Sequence, residues 1–379
     1  MSKVLFYLTI IFSIAACSAP NQKASHNEEL EEIPLDHAVG FKILQGKGCK
    51  IVEVLHGFPG EHQAFRYLVK ETEKTKAPES HFDAIIDSSV QKIILTSTTQ
   101  IPHLDELDLS KNLIAFPNTK LISSKKIRKQ IDQGEVEDLG TGAKYNTEKI
   151  IDLEPNLVVI STLGDNLKDL QVLSQAKIPT VINGDYMEQT PLGRAEWMKF
   201  TGALTGKLKE ATKKFDEIKQ NYNALKSSVK EANLENLPTV ISGSMYKDIW
   251  YAPAGNNWGA IFLKDAGADY IFKDQESSGS LQLNYEYVLE KGLNANIWIS
   301  TAEFTSLDQM KNADERYTQF SSFQEGEVYT FSNTRGETGG LEYFELGYTR
   351  PDIILKDLIK VFHPELLPNY SPYFYQKLD

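Results

Sequence analysis

Between Lys207 and Ala232 the chain runs 26 residues without a glycine or proline, in a stretch rich in Lys, Glu, Ala and Leu. Apolar side chains at Leu208, Ala211, Phe215, Ile218, Tyr222 and Leu225 recur at intervals alternating between 3 and 4, which sets them on one stripe of an α-helix. At a rise of ~1.5 Å per residue the helix is about 39 Å long, more than most helices inside a domain. Asn233 and Pro238 mark its end. Such a helix either lies along the surface of one domain or connects two, and the flanking sequence favours a connector. Before it, compact apolar runs at Phe41–Leu44, Lys50–Leu55, Lys92–Thr96, Leu113–Phe116, Leu157–Ile160 and Thr180–Ile182 read as strands, with helices expected over His103–Leu109 and Leu167–Gln175. After it, the strand pattern restarts at Pro238–Ser242 and continues at Ile297–Ser300 and Glu327–Phe331, with helices expected over Gly259–Ala266 and Thr349–Phe362. The expected fold class is therefore α/β: two Rossmann-like lobes with mostly parallel sheets, joined by one long rigid helix.

The N-terminus sets the compartment. Lys3 precedes an apolar run from Val4 to Ile14, followed by Ile14-Ala15-Ala16-Cys17. A charged start, about ten apolar residues and small residues before a cut describe a secretory signal, and the run is shorter than the ~20 residues a spanning helix needs. Small residues leading into Cys resemble a bacterial lipobox, in which Cys17 is lipidated and becomes the first mature residue; the alternative is an ordinary signal cut elsewhere. The expected organisation is a signal peptide at 1–16, a polar tether at 17–34, a first lobe at 35–194, a backbone-helix region at 195–237 and a second lobe at 238–379. With Cys17 acylated, Cys49 has no disulfide partner, since the chain has only two cysteines.

The halves echo each other. Asn146-Thr147-Glu148-Lys149-Ile150-Ile151 and Asn284-Tyr285-Glu286-Tyr287-Val288-Leu289 each open a helix with Asn, place Glu two residues on, and lead to a strand ending in Ser161 or Ser300. Asn at an N-cap and Glu in a first turn are ordinary helix-start chemistry. Their recurrence at one point of two lobes, 138 residues apart, suggests paired contact residues for a two-fold partner.

These features resemble the periplasmic-type substrate-binding proteins of ABC importers for siderophores, haem and cobalamin. The similarity runs from about residue 90 to the end and rests on Asn146 to Val158 (with Asn156 where Asp is usual), Thr190-Pro191-Leu192-Gly193-Arg194-Ala195-Glu196-Trp197, Arg350-Pro351-Asp352-Ile353-Ile354-Leu355-Lys356-Asp357-Leu358 and His363-Pro364-Glu365-Leu366. Where relatives often carry Trp-Glu-x-x-Gly, this chain has Phe344-Glu345-Leu346-Gly347. The resemblance implies a monomeric lipoprotein in the cell envelope, lipid-anchored to a membrane and facing the periplasm. It implies a metal-chelate small molecule held between the lobes, and docking on an ABC permease dimer of the inner membrane through Glu148 and Glu286. It implies no catalytic residues, no cofactor and no resident metal.

A planar or bulky chelate calls for aromatic faces and a few polar anchors, which makes Tyr145, Trp250, Tyr251, Tyr343 and Tyr348 candidate ligand contacts, with Trp258 and Phe344 as further loop aromatics. Arg335, in the loop Ser332 to Gly340, is a candidate for a bidentate contact to a carboxylate. Core packing is the competing fate of each aromatic. A second reading is capture of a bare divalent metal by His56, His62, His81 and His103 of the first lobe. The chain carries no phosphate loop, nucleophile elbow or zinc-protease motif. Its net charge of −12 argues against nucleic-acid binding, and its basic stretch Lys125-Lys126-Ile127-Arg128-Lys129 is short and fits a solvated helix face.

Overall fold

A computed structural model describes residues 30–75, 78, 80–87, 89–141, 146–164, 167–277, 279–301 and 303–379. Cys17 and Tyr145 fall outside the described residues. Strands β1 (Glu31–Ile33), β2 (Phe41–Gly46), β3 (Cys49–Val54), β4 (Phe65–Lys70) and β5 (Ala84–Asp87) form a first sheet in sequence order, antiparallel except for the β4–β5 pair. The expected tether was to reach residue 34, but β1 pairs with β2, so residues 31–33 belong to this sheet.

The second sheet holds β6 (Ile93–Leu95), β7 (Leu113–Phe116), β8 (Glu137–Asp138), β9 (Leu157–Ile160) and β10 (Thr180–Ile182), all parallel, in the order β10-β9-β6-β7-β8. Helices α1 (Ile101–Glu106), α2 (Lys125–Asp132), α3 (Thr147–Asp152) and α4 (Leu167–Gln175) connect its strands. Helix α1 begins two residues earlier than expected, since Pro102 suits a first helical turn, and it stops before Asp108, whose φ is 55°.

The expected connecting helix is present within a residue of its bounds, at Leu208–Glu231, and a second helix precedes it. Helix α5 (Pro191–Thr205) ends at Gly206, which caps it in the left-handed region at φ 74°. Helix α6 (Leu208–Glu231) then packs back along it, where Gly202 leaves no room for a side chain against Ala211. The expected stripe is buried at Ala211, Phe215, Ile218 and Tyr222 and partly buried at Leu208 and Leu225, and it serves both lobes: Ala211 and Ile218 join the first lobe's core, while Tyr222, with Val229 beyond the stripe, joins the second's. Each large apolar side chain so buried contributes about 1.5–3 kcal/mol, so α6 is held from both sides.

The second lobe contains a sheet of β11 (Thr239–Ser242), β14 (Asp269–Tyr270), β16 (Ile297–Ile299), β17 (Val328–Thr330) and β18 (Gln376–Lys377), parallel except for β18, in the order β14-β11-β16-β17-β18. A smaller antiparallel sheet of β12 (Ser244–Tyr246), β13 (Ile249–Pro253) and β15 (Ser280–Leu283) stands beside it. Helices α7 (Trp258–Asp265), α8 (Tyr285–Gly292), α9 (Leu307–Ala313), α10 (Ser321–Gln324), α11 (Glu342–Gly347) and α12 (Pro351–Phe362) complete the lobe. The two parallel sheets share one topology: β10-β9-β6-β7 corresponds strand for strand to β17-β16-β11-β14.

Candidate functional site

In an open parallel sheet the ligand crevice forms outside the carboxyl ends of the strands, at the point where successive connections turn to opposite sides. That point lies between β6 and β9 in the first lobe and between β11 and β16 in the second. In the second lobe it is open: a cavity of about 290 Å³ reaches Ser242 at the end of β11 and Ser300 just after β16. Its aromatic lining includes Tyr251, Trp258, Phe331, Tyr343 and Phe344. Phe331 and Tyr343 stack at 4.1 Å, and the Tyr343 hydroxyl meets that of Tyr375 at 3.4 Å, which in turn meets Ser300 Oγ at 2.9 Å. Burial holds the Tyr343 phenol well above its ordinary range, so it faces the cavity as a neutral hydrogen-bonding group. In the first lobe the same point is occupied by side chains: Gln100 Nε2 donates to Ser161 Oγ at 3.1 Å, and Ser161 N–H donates to Thr96 Oγ1 at 2.9 Å.

Strand alternation separates two of the expected ligand contacts. Tyr251 points outward from β13, 36% exposed, and lines the cavity. Trp250 points the other way. It is fully buried, stacks on Trp298 at 5.2 Å, and donates its indole N–H to Ser242 O at 3.0 Å. The expectation for Trp250 is therefore corrected: it is a core residue. Tyr343 is a wall of the cavity, while Tyr348 lies under a neighbouring cation. Arg335 folds into its own loop, with Nε donating to Ser332 O and Nη1 to Gly339 O at 2.9 Å each, and Nη2 meeting Glu303 at 3.4 Å. That loop packs on the first lobe, where Gly336 and Gly340 sit against Ser123 and Leu121 with no space for a side chain.

The cation over Tyr348 is Arg194, a residue that periodicity and spacing did not single out. Its guanidinium lies 4.4 Å from the Tyr348 ring and 4.3 Å from that of Trp258, a wall of the cavity. Its Nε and Nη2 donate to the carbonyls of Glu188 (3.0 Å) and Tyr186 (2.9 Å). Arg194 thus extends from α5 to grip the second lobe. The motif around it explains itself locally. Thr190 caps α5 through Gly193 N–H, Pro191 fits the first turn, and a side chain at Gly193 would strike Thr190 Oγ1. Glu196 accepts from the amides of Asp36, His37 and Ala38 and from Lys199, while Glu188 accepts from Val39, Gly40 and the Trp197 indole. The sequence signal for Arg194 was the Thr190–Trp197 motif itself, though the motif does not say what the cation meets.

Glu148 and Glu286 occupy matching places. Asn146 Oδ1 accepts from Lys149 N–H at 2.9 Å and Asn284 Oδ1 from Tyr287 N–H at 2.8 Å, so each Glu sits in the first turn of a side-chain-capped helix. Both are exposed. Helix α3 leads into β9 and α8 into β16, the corresponding strands of the two sheets.

The histidines do not converge. His103 is buried against Thr201 Oγ1 at 2.9 Å, and burial pushes its imidazole down to about 3. The side chain of His81 is 90% exposed beside Asp83, and His56 and His62 lie exposed on the surface. Among the described residues no three His, Cys, Asp or Glu side chains are grouped as metal ligands.

Comparison with known proteins agrees with this architecture. The chain is 26% identical over 304 residues to an uncharacterised lipoprotein of Methanocaldococcus jannaschii, covering 78% of this chain and 70% of that one. Its fold matches a possible iron-binding (periplasmic solute-binding) protein from Staphylococcus epidermidis with a TM-score of 0.57 and 20% identity, over 72% of this chain and 98% of that one. It also matches the periplasmic haem-binding protein HutB of Vibrio cholerae with a TM-score of 0.54 and 14% identity, over 70% and 99% of the respective chains. A family model described as periplasmic binding protein matches residues 93–334, close to two-thirds of the sequence, and the chain belongs to that family.

Proposed function

We propose that this protein is the solute receptor of an ABC importer, tethered to a membrane through lipidated Cys17, and that it captures an iron-chelate-type nutrient: a siderophore, haem or cobalamin. The chelate lies between the lobes against the aromatic cavity at the β11–β16 switch point, with Tyr251, Trp258 and Phe344 offering faces and the Tyr343–Tyr375–Ser300 chain offering hydrogen bonds. The iron-binding and haem-binding descriptions of the fold relatives support this ligand class. Glu148 and Glu286 then meet basic residues on the two halves of the permease.

The observation that carries the reading is the matched pair of exposed glutamates in the capped first turns of α3 and α8, the helices that lead into corresponding strands of the two lobes. Two carboxylates so placed steer and register a two-fold partner, and contribute to rate and specificity more than to raw affinity. The double substitution Glu148→Ala with Glu286→Ala is expected to abolish chelate-dependent uptake and leave the receptor's own affinity unchanged. A fluorescence titration against haem, cobalamin and a siderophore panel measures the affinity, and an uptake assay measures the transfer. Normal transport by the double variant would refute the docking assignment. Saturable binding of none of these chelates would refute the ligand class.

A further inference from the structure

The two lobes touch through a set of hydrogen bonds that neither the cavity nor the glutamate pair uses. The Glu345 carboxylate on α11, 4% exposed, accepts Ser123 N–H at Oε2 and Ser124 N–H at Oε1, each at 2.7 Å. Ser123 and Ser124 are the residues that open α2 in the other lobe. Around this contact Thr338 Oγ1 donates to Lys120 O at 2.7 Å, Ser123 Oγ to Gly340 O at 3.2 Å, and Arg128 Nη1 to Thr338 Oγ1 at 3.3 Å. A Cβ at Gly340 would stand 2.1 Å from Leu121 O, and one at Gly336 2.7 Å from Ser123 Oγ, so the backbones meet directly. Glu345 lies beyond the residues matched by the family model.

We propose that Glu345 is a positioning residue. By binding the backbone of Ser123 and Ser124 across the junction, it holds the lobes as one body and so fixes the separation of Glu148 and Glu286. This rests on the docking role proposed for those two glutamates. A two-fold partner can engage both only if their spacing is set in advance, because looseness between them is an entropy cost borne at docking.

The charges around Glu345 give the clasp a signature. Burial raises its carboxyl to about 7, the Ser123 and Ser124 amides oppose that shift, and Asp105 of α1 and Glu342 of α11 add to it. Among the neighbours, Asp105 accepts from Ser124 Oγ and Glu342 from the Tyr373 hydroxyl; Lys126 Nζ reaches Asp105 O, and Arg128 is bound to Thr119 O, Thr338 and Asp132. A carboxyl that ionises near 7 in the clasp and near 4.5 when released holds its proton more tightly in the clasped state. The clasp is therefore full below the lower value and loosens as pH rises through the upper one.

The test is pulsed dipolar spectroscopy on the full chain in detergent, with spin labels at K168C on α4 and E290C on α8, alongside uptake in cells. Both positions are exposed, and Cys49 is buried away from the label. For the unmodified clasp the inter-lobe distance distribution is expected to be narrow near pH ~4.5 and to widen progressively as pH rises to ~7.5. E345Q, which cannot ionise, is expected to show one width across that range. E345A is expected to be wide throughout and to lower uptake roughly tenfold, the shift produced by losing the two backbone hydrogen bonds to Ser123 and Ser124. A width that does not respond to pH, an E345Q that follows the parent, or an E345A as narrow as the parent would each overturn the proposal. The docking reading fails separately: E148A/E286A would then transport normally while the distance changes persist.

Discussion

Replacing Trp250 by phenylalanine and, separately, Tyr251 by alanine divides packing from recognition at two adjacent positions of one strand. Trp250 is fully buried among Trp298, Tyr317 and Phe320, with ring centroids at 5.2, 6.0 and 5.6 Å, and its Nε1–H is bonded to Ser242 O. Phenylalanine keeps an apolar ring but leaves that buried carbonyl without its donor, a cost of about 1–3 kcal/mol. The lost ring volume adds about 1 kcal/mol of cavity and contact energy. The expected loss is thus about 2–4 kcal/mol in urea unfolding, seen as a lower midpoint with an unchanged slope. Ligand affinity in the folded fraction should stay within twofold, roughly the error of a titration. Tyr251 is partly exposed on the opposite face, so Y251A should change stability by no more than about 0.5 kcal/mol. It removes an aromatic face worth about 0.5–1.5 kcal/mol to a stacked ligand, and the chelate Kd should rise about 2- to 13-fold. The reverse pattern, with W250F silent in unfolding and Y251A silent in binding, would refute both the strand register and the placement of the ligand.

Two further predictions concern buried charge. Glu196 collects three backbone amides and Lys199, itself only 5% exposed, so E196Q should destabilise the protein by about 3–5 kcal/mol by leaving the ammonium unpaired; a urea midpoint shift equivalent to under ~1 kcal/mol would contradict this. His103 is neutral in the fold, with its imidazole lowered from 6.5 to about 3. The unfolded chain therefore takes up a proton that the folded chain refuses, and stability falls as pH drops below 6.5, by up to about 1.4 kcal/mol per pH unit, until the folded value is reached. H103Q should flatten that acid limb in unfolding curves measured across this range. An unchanged acid limb would show that the ring is not held neutral by burial.

Much of this was legible in the chain. Compact β-branched runs mark the central strands, because a strand buried on both faces must be apolar at every position, as Leu157–Ile160 and Ile297–Ile299 are. The stripe on α6 was legible from its spacing, and the Asn-x-Glu pair from its repetition. The small β12–β13–β15 sheet was not, since its strands alternate and expose Tyr246, Ile249 and Tyr251. Nor was α5 legible as a helix of its own, although the expected start of the next helix at Lys207 falls where Gly206 and Lys207 separate the two.

The sequence by itself determined most of the local elements, the family pattern and the recurrence of Asn-x-Glu at Glu148 and Glu286, since each depends on neighbours within a few residues or on a recurring period. Only the tertiary structure decided which aromatics face the cavity, that Arg194 grips Trp258 and Tyr348, and that Glu345 binds across to Ser123 and Ser124. Those contacts join residues more than 60 and more than 200 positions apart. Their energies come from burial and from partners that meet only when the two lobes close on each other, and no window along the chain contains both halves of such a pair.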